Sequence, residues 1–345
     1  SSASGATLCV EPEELTGLGN QLRIQEAEAL REAAKVLVVL SGYVASDAEH
    51  VRIAQRACEE ADLLSALARF ARQTRSIVAP LLAEARLDLR SARHPLLALS
   101  PHPVVANDIA IEAERALVIS GPNAGGKTVA LKTLGLVAWM ARAGIPLPVA
   151  EESSIGWFGC VLADIGDEQS IARSLSTFSA HVQRLCSLLE QASGESLILL
   201  DELASGTDPE EGAALAAAML EALTARGAAV AVTTHYEKLK EFAAHAEHLQ
   251  NASVSYDFER MAPTFRLTMG VPGASSALTV ATRHGLPASV VARAKALLPE
   301  QSLERERAVE KLERQRQSFE QEREALAREA EELRQLRQTL ETEHA

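Results

Sequence analysis

"ALVISGPNAGGKTVALKTLGLVAWMA", residues 116–141, is the stretch on which the fold turns. A short apolar run ends at Ser120, a glycine-rich turn fills 121–128, and a helical run follows. The turn matches G-x-x-x-x-G-K-[ST] at Gly121, Gly126, Lys127 and Thr128. A strand, a tight turn and a helix in that order make a phosphate cradle. The glycines let backbone N–H groups face phosphate oxygens, and the helix N-terminus adds its dipole. The loop is therefore expected to consist of Gly121, Pro122, Asn123, Ala124, Gly125, Gly126, Lys127 and Thr128. Lys127 would reach the β- and γ-phosphates of a nucleotide, and the Thr128 hydroxyl would reach Mg²⁺. Phosphate loops serve kinases, motors, transporters and switches alike, so the rest of the chain must say what the nucleotide is for.

Beyond the loop, short β-like runs alternate with helical ones. "GWFGCVLAD" precedes "TFSAHVQRLCSLLEQA", "SLILLDE" precedes "EGAALAAAMLEALTARG", and "AAVAVTTH" precedes "YEKLKEFAAH". The alternation predicts an α/β fold, a P-loop nucleotide domain with a mostly parallel sheet and helices on both faces. "NASVSYD" and "TFRLTMG" read as two further strands. Upstream, residues 13–75 carry apolar residues at spacings of three and four with almost no Pro or internal Gly, which predicts helices. Pro80 and "SARHPLLALSPHP" then interrupt the pattern. The expected organisation is a helical segment over 1–90, a nucleotide domain over 91–298 and a long charged helix over 299–345. In that last segment Leu312, Phe319, Leu326, Leu333 and Leu340 recur every seven residues. The companion seam of Val309, Arg316, Arg323, Ala330 and Arg337 is too polar for a strong coiled coil. Self-association and a solvated helix both fit that pattern.

Composition narrows the partners. Lys and Arg number 34 against 47 Asp and Glu, a formal charge of −13, so the chain as a whole is not a polyanion-binding surface. Cys9, Cys58, Cys160 and Cys186 show neither paired nor metal-ligand spacing, which fits a reducing, cytoplasmic setting. No run approaches the roughly 18 apolar residues of a membrane span. The start lacks the pattern of a signal peptide. With no initiator Met and an end inside a helical pattern, the sequence reads as a piece of a longer protein.

"LILLDE", residues 197–202, supplies the second chemical half. An apolar strand ending in acids can simply be leaving the core. Placed after a phosphate loop, Asp201 is suited to hold Mg²⁺ through water or Thr128, and Glu202 to orient and deprotonate an attacking water. His235, at the tip of "VAVTTH", is placed to sense the γ-phosphate, although a lone His at a strand end is more often structural. This order of parts is that of the ABC ATPase class. Where transporters of that class carry an LSGGQ-like signature, this chain has "SLSTFSAH", residues 174–181. Ser176 and Thr177 would open a helix there and offer hydroxyls and N–H groups to a phosphate, or serve only as an N-cap.

Taken together, "GPNAGGKT", "STF", "DE" and "THY" resemble the MutS family of DNA-repair ATPases. "ARHPLL" and "VANDI" ahead of the loop are similar to the start of that family's ATPase domain. "DIGDEQSIARSLSTFSAH", "DELASGTDPEEGAALA", "TTHYEKLK", "SASGATLCVEP" and "PTFRLTMGVPGASSALTVATRHGLP" look like its MutS-II branch, and the likeness runs from Ser2 to about Leu298. The resemblance implies ATP and Mg²⁺ as ligands, Asp201 as the magnesium acid, Glu202 as the hydrolytic base and His235 as a switch. It implies that Ser176 and Thr177 complete the partner's site in a homodimer, and that "SGTDPEEG", 205–212, links the two sites. Residues 13–75 would belong to a lever reaching a nucleic-acid clamp. Whole members of the branch are expected to act on branched or mismatched DNA, suppressing recombination, or on collided ribosomes through rRNA. Their endonuclease activity is expected in a C-terminal Smr domain outside this sequence. Weak nucleic-acid binding is the expectation for this chain alone. Two other readings stand beside this one. An SMC-type chromosome ATPase would need an LSGG-like signature, which "SLSTFS" is not. A nucleotide-responsive scaffold that hardly hydrolyses is disfavoured by Glu202.

Overall fold

Thirty-four residues without an internal proline form α1 (Glu13–Ser46), and Asp47 separates it from α2 (Ala48–Thr74). The computed structural model describes residues 12–122, 125–166, 177–257, 262–273, parts of 278–298 and isolated positions from 308 to 334. These residues divide between Ala68 and Arg69 into two compact units. In the first unit the apolar side chains of α1, among them Leu22, Leu30, Leu37 and Tyr43, are exposed. The helices expected over 13–75 are present.

The second unit holds two sheets. The smaller has the order β1-β5-β2-β3, built from β1 (Leu81–Leu82), β2 (Arg86–Ala92), β3 (Asn107–Glu112) and β5 (Ser154–Gly156). In it β2 runs antiparallel to β3 and β5. Strand β2 begins before the boundary expected near residue 90. A short helix, α3 (Pro95–Ala98), follows it and is capped by His94, whose Nδ1 accepts the Leu97 N–H at 3.4 Å.

The larger sheet has six strands in the order β10-β9-β4-β8-β7-β6. They are β4 (Ala116–Ser120), β6 (Cys160–Asp164), β7 (Ser196–Leu200), β8 (Ala229–Thr233), β9 (Leu249–Asp257) and β10 (Ala262–Met269). All pairings are parallel except that of β9 with β10. Strands β4, β7 and β8 are buried along their whole length, as expected of central strands covered on both faces. The period of two sorts their side chains. Leu117, Ile119, Leu197 and Leu199 face α4 (Lys127–Arg142), packing with Leu131, Leu134 and Val137. Val118, Ile198, Leu200, Val230 and Val232 pack with Leu185 of α5 (Thr177–Gln191), Leu220 of α6 (Pro209–Ala225) and Leu239 of α7 (Glu237–His245). A further helix, α8 (Ala288–Leu297), follows β10.

The structure corrects the sequence reading at one strand. "GWFGCVLAD" is divided: Gly156 ends β5 in the smaller sheet, and Cys160–Asp164 forms β6 in the larger one. At Gly156 a Cβ would lie 1.9 Å from the carbonyl oxygen of Glu84, so only glycine lets the two backbones meet. In the C-terminal segment the described positions Leu312, Phe319, Leu326 and Leu333 are exposed. Leu340 and the whole companion seam lie outside the described residues.

Candidate functional site

The glycine-rich loop predicted to bind phosphate leaves β4 at Ser120, whose buried hydroxyl donates to Ala252 O at 3.2 Å and accepts the Gly273 N–H at 2.8 Å. Gly121 and Gly126 have φ of 130° and 95°, values that an L side chain resists. Between them the Gly125 N–H donates to Pro122 O at 2.9 Å. Asn123 and Ala124 lie outside the described residues. Gly126 caps the N-terminus of α4, and Lys127 follows with only 3% of its surface exposed. The Lys127 Nζ donates to Gly121 O at 2.6 Å and so lies across the loop mouth. Burial pulls its pKa below the ordinary lysine value, while the carboxylates of Glu202 and Asp201 push the other way.

Three elements converge on Asp201, just past the end of β7. The Thr128 hydroxyl on α4 donates to its Oδ2 at 2.8 Å, and the Thr233 hydroxyl at the end of β8 donates to its Oδ1. Thr233 in turn accepts the Glu202 N–H at 2.9 Å. The cluster stands at the carboxyl ends of parallel strands, where open α/β sheets bind ligands. A threonine hydroxyl and a carboxylate offer hard oxygens of the kind Mg²⁺ takes when phosphates and water complete its shell. Among the described residues no group of three or more His, Cys, Asp or Glu could hold a metal by itself.

Beyond Asp201 the backbone turns sharply, with Glu202 at φ 52° and Ala204 at φ 59°. Tyr236 Oη donates to Ala204 O at 2.8 Å, and the Ala204 N–H points at His181 Nε2, 3.4 Å away. His181 sits in the first turns of α5, with Nδ1 2.8 Å from Asp164 Oδ2. Arg184 Nε lies 3.2 Å from the other oxygen of that carboxylate. The His181 hydrogen bond holds the Asp164 carboxyl below its usual range, and its partial burial opposes that. His235 is exposed, its ring centroid 4.4 Å from that of Tyr236. Ser176 lies outside the described residues. Thr177 opens α5, and its side chain is also outside them.

Sequence reasoning singled out the loop and the acids but not Thr233, Asp164, His181 or Tyr236. Thr233 and Tyr236 flank the chosen histidine in "TTHY", so the signal was adjacent. A cavity of about 460 Å³ lies beside the loop, lined by His94, Asn107, Gly126, Thr128, Val129 and Phe265 among others. Asn107 fastens its far wall, donating to Phe265 O at 3.1 Å and accepting the Leu267 N–H at 2.7 Å. Phe265 sits at φ 58° where the β9–β10 register shifts, and about half of its surface is exposed. The mostly apolar wall is suited to a flat ring adjoining the phosphates.

Residues 117–302 match MutS domain V. The protein named Endonuclease MutS2 from Latilactobacillus sakei subsp. sakei is 43% identical over 342 residues, 99% of this chain and 43% of that protein. Its namesake from Pelotomaculum thermopropionicum is 46% identical over 342 residues, with the same coverage of each. The one from Thermomicrobium roseum is 46% identical over 325 residues, 91% of this chain and 41% of that protein. The chain thus spans less than half the length of these relatives. No described helix is long and apolar enough to cross a membrane.

Proposed function

We propose, from the premise that this chain belongs to the MutS family as a MutS2-type protein carrying domain V, that its crevice hydrolyses ATP to ADP and phosphate at a site completed by a second copy. The observation that carries the reading is the carboxylate of Asp201, held by Thr128 from the phosphate loop and by Thr233 from the neighbouring strand. The loop and the acidic strand are one device.

The backbone of residues 121–128 would cradle the β- and γ-phosphates. Lys127 would exchange its bond to Gly121 O for one to a phosphate oxygen. Thr128 and Asp201 would hold Mg²⁺, which neutralises charge on the phosphates when bound. Glu202 would accept a proton from the attacking water and His235 would sense the γ-phosphate. The base would lie in the cavity against Phe265 and Val129. Ser176 and Thr177, at the start of α5, would meet the partner's nucleotide, and 205–212 would link the two sites. The test is Glu202→Gln. ATP binding should persist while turnover falls roughly 10²- to 10⁴-fold, as for loss of a general base. Activity that rises with protein concentration, and recovers when Ser176→Ala and Lys127→Ala proteins are mixed, would support the shared site. Unchanged turnover in Glu202→Gln would remove this reading.

For the whole protein we propose nucleic acid as the partner, either branched DNA or the rRNA of collided ribosomes, in the cytoplasm. The relatives are named endonucleases, and cleavage belongs to that longer protein in this proposal. The net charge of −13 argues that this chain alone binds DNA weakly. Crosslinking the full-length protein in cells and identifying the recovered nucleic acid distinguishes the two.

A further inference from the structure

We propose that His181 is a positioning residue for hydrolysis, holding the Ala204 N–H and, through that turn, the place of Glu202. The proposal rests on the reading that Glu202 orients the attacking water. Glu202 and Ala204 both adopt left-handed backbone conformations, which L-residues seldom take and keep only where neighbours fix them. The neighbours here are identifiable. Thr233 Oγ1 takes the Glu202 N–H at 2.9 Å, Glu202 O takes the Ser205 N–H at 3.1 Å, and Tyr236 Oη grips Ala204 O at 2.8 Å. The Ala204 N–H is directed instead at α5, to His181 Nε2 at 3.4 Å.

That contact prescribes the state of the ring. To accept at Nε2, neutral His181 must carry its proton on Nδ1, and the second nitrogen's partner determines which tautomer is present. The group nearest Nδ1 is Asp164, whose buried Oδ2 lies 2.8 Å away and receives no well-aligned hydrogen bond from any other donor, while Arg184 lies 3.2 Å from the other carboxylate oxygen. Asp164 also accepts the Asp201 N–H through its own backbone carbonyl at 2.9 Å. One residue therefore sets both the strand end that carries Asp201 and the orientation of the imidazole. Both side chains are largely buried, each 15% exposed. Neither is assigned any contact with nucleotide. A bond of 3.4 Å is long and contributes little to folding, yet it aims a turn whose acid must be placed to a fraction of an ångström.

Steady-state ATPase kinetics and ATP titrations on the 345-residue chain test the proposal with three variants. His181→Ala should lower kcat by about ten- to a hundredfold, the scale of a misplaced reacting group, with the ATP Kd within about twofold of the parent. His181→Gln, whose side-chain carbonyl can accept the Ala204 N–H, should restore most of that loss. Asp164→Asn should also lower kcat, because an amide can donate to Nδ1 and turn the ring's proton toward Ala204. In a Glu202→Gln background, His181→Ala should cause no further fall, since both changes act on the same group. Parent-like kcat in a folded His181→Ala, or a full additional loss in the Glu202→Gln background, would overturn the proposal. If His181→Ala does not fold, parent-like kcat in Asp164→Asn overturns it. A parent chain with no ATP turnover at all would instead refute the ATPase reading, and a parent whose turnover survives Glu202→Gln would refute the role of that acid.

Discussion

Thr128 and Thr233 hold the two oxygens of one carboxylate, that of Asp201, one from the helix after the loop and one from the end of a neighbouring strand. An oxygen occupied by a hydroxyl is already pointed at the place a cation would take. Asp201→Asn keeps the size of the side chain but replaces one acceptor with a donor that faces a hydroxyl. Calorimetric titration with ATP should then give the same affinity with Mg²⁺ as with EDTA, while the parent binds the magnesium complex more tightly. A Mg²⁺ effect of parental size in the variant would place the metal elsewhere.

Lys127 is a buried cation whose pKa burial lowers. A base with a depressed folded pKa binds its proton less readily than in the unfolded chain. Without nucleotide, its unfavourable contribution is therefore fullest below the folded pKa and fades as pH rises toward 10.5. Lys127→Met retains the buried stem and removes the charge. At neutral pH the variant should melt no lower than the parent, and the gap should close as pH rises toward the lysine range. ATP binding should vanish throughout. A variant that melts well below the parent yet binds ATP would refute both halves.

The cavity beside the loop predicts how the base is held. Phe265→Ala should weaken ATP binding up to about tenfold, the scale of an aromatic contact of about 0.5–1.5 kcal/mol. Affinity for inorganic triphosphate should fall less, because the ring only borders the loop, at Gly126. An equal loss for both ligands would mean that Phe265 shapes the loop rather than the base site.

Packing around the turn predicts a steric limit. A Cβ at Gly212 would lie 2.8 Å from Tyr236 Oη and 3.0 Å from Ala204 O. Gly212→Ala should therefore lower stability by about 1–3 kcal/mol, as overpacking does in a tight core. Denaturant unfolding should register the loss, and Tyr236→Phe should relieve part of it by removing the crowded oxygen. No recovery in the double variant would assign the clash to the Ala204 carbonyl.

What the sequence disclosed was local chemistry. Gly121 to Thr128 and the Asp201–Glu202 pair stand out because the proposed nucleotide chemistry requires fixed residue types within a few positions, and the fold brings Thr128 against Asp201. The buried strands β4, β7 and β8 were legible as apolar runs between turns. Asp164, His181 and Tyr236 were not, because His181 and Tyr236 meet Ala204, and Asp164 meets His181, only after separate elements have packed together. The smaller sheet was missed for a related reason. Its division of "GWFGCVLAD" depends on Gly156 touching the backbone of Glu84, a contact between distant segments. Ser176, Asn123 and Ala124, expected at the site, fall outside the described residues.

The left-handed alanine at 204 is held by a near balance. Such a conformation costs an L-residue about 1–2 kcal/mol. Glycine would remove that cost, but would return about 0.4–1 kcal/mol through a looser unfolded chain and about 0.8 kcal/mol through the loss of a fully buried methyl group. Laboratory evolution for survival at high temperature alone should therefore be almost indifferent to Ala204→Gly. The same change would let the turn beyond Glu202 wander, so selection on turnover would keep the alanine. The two screens would part company at this single position.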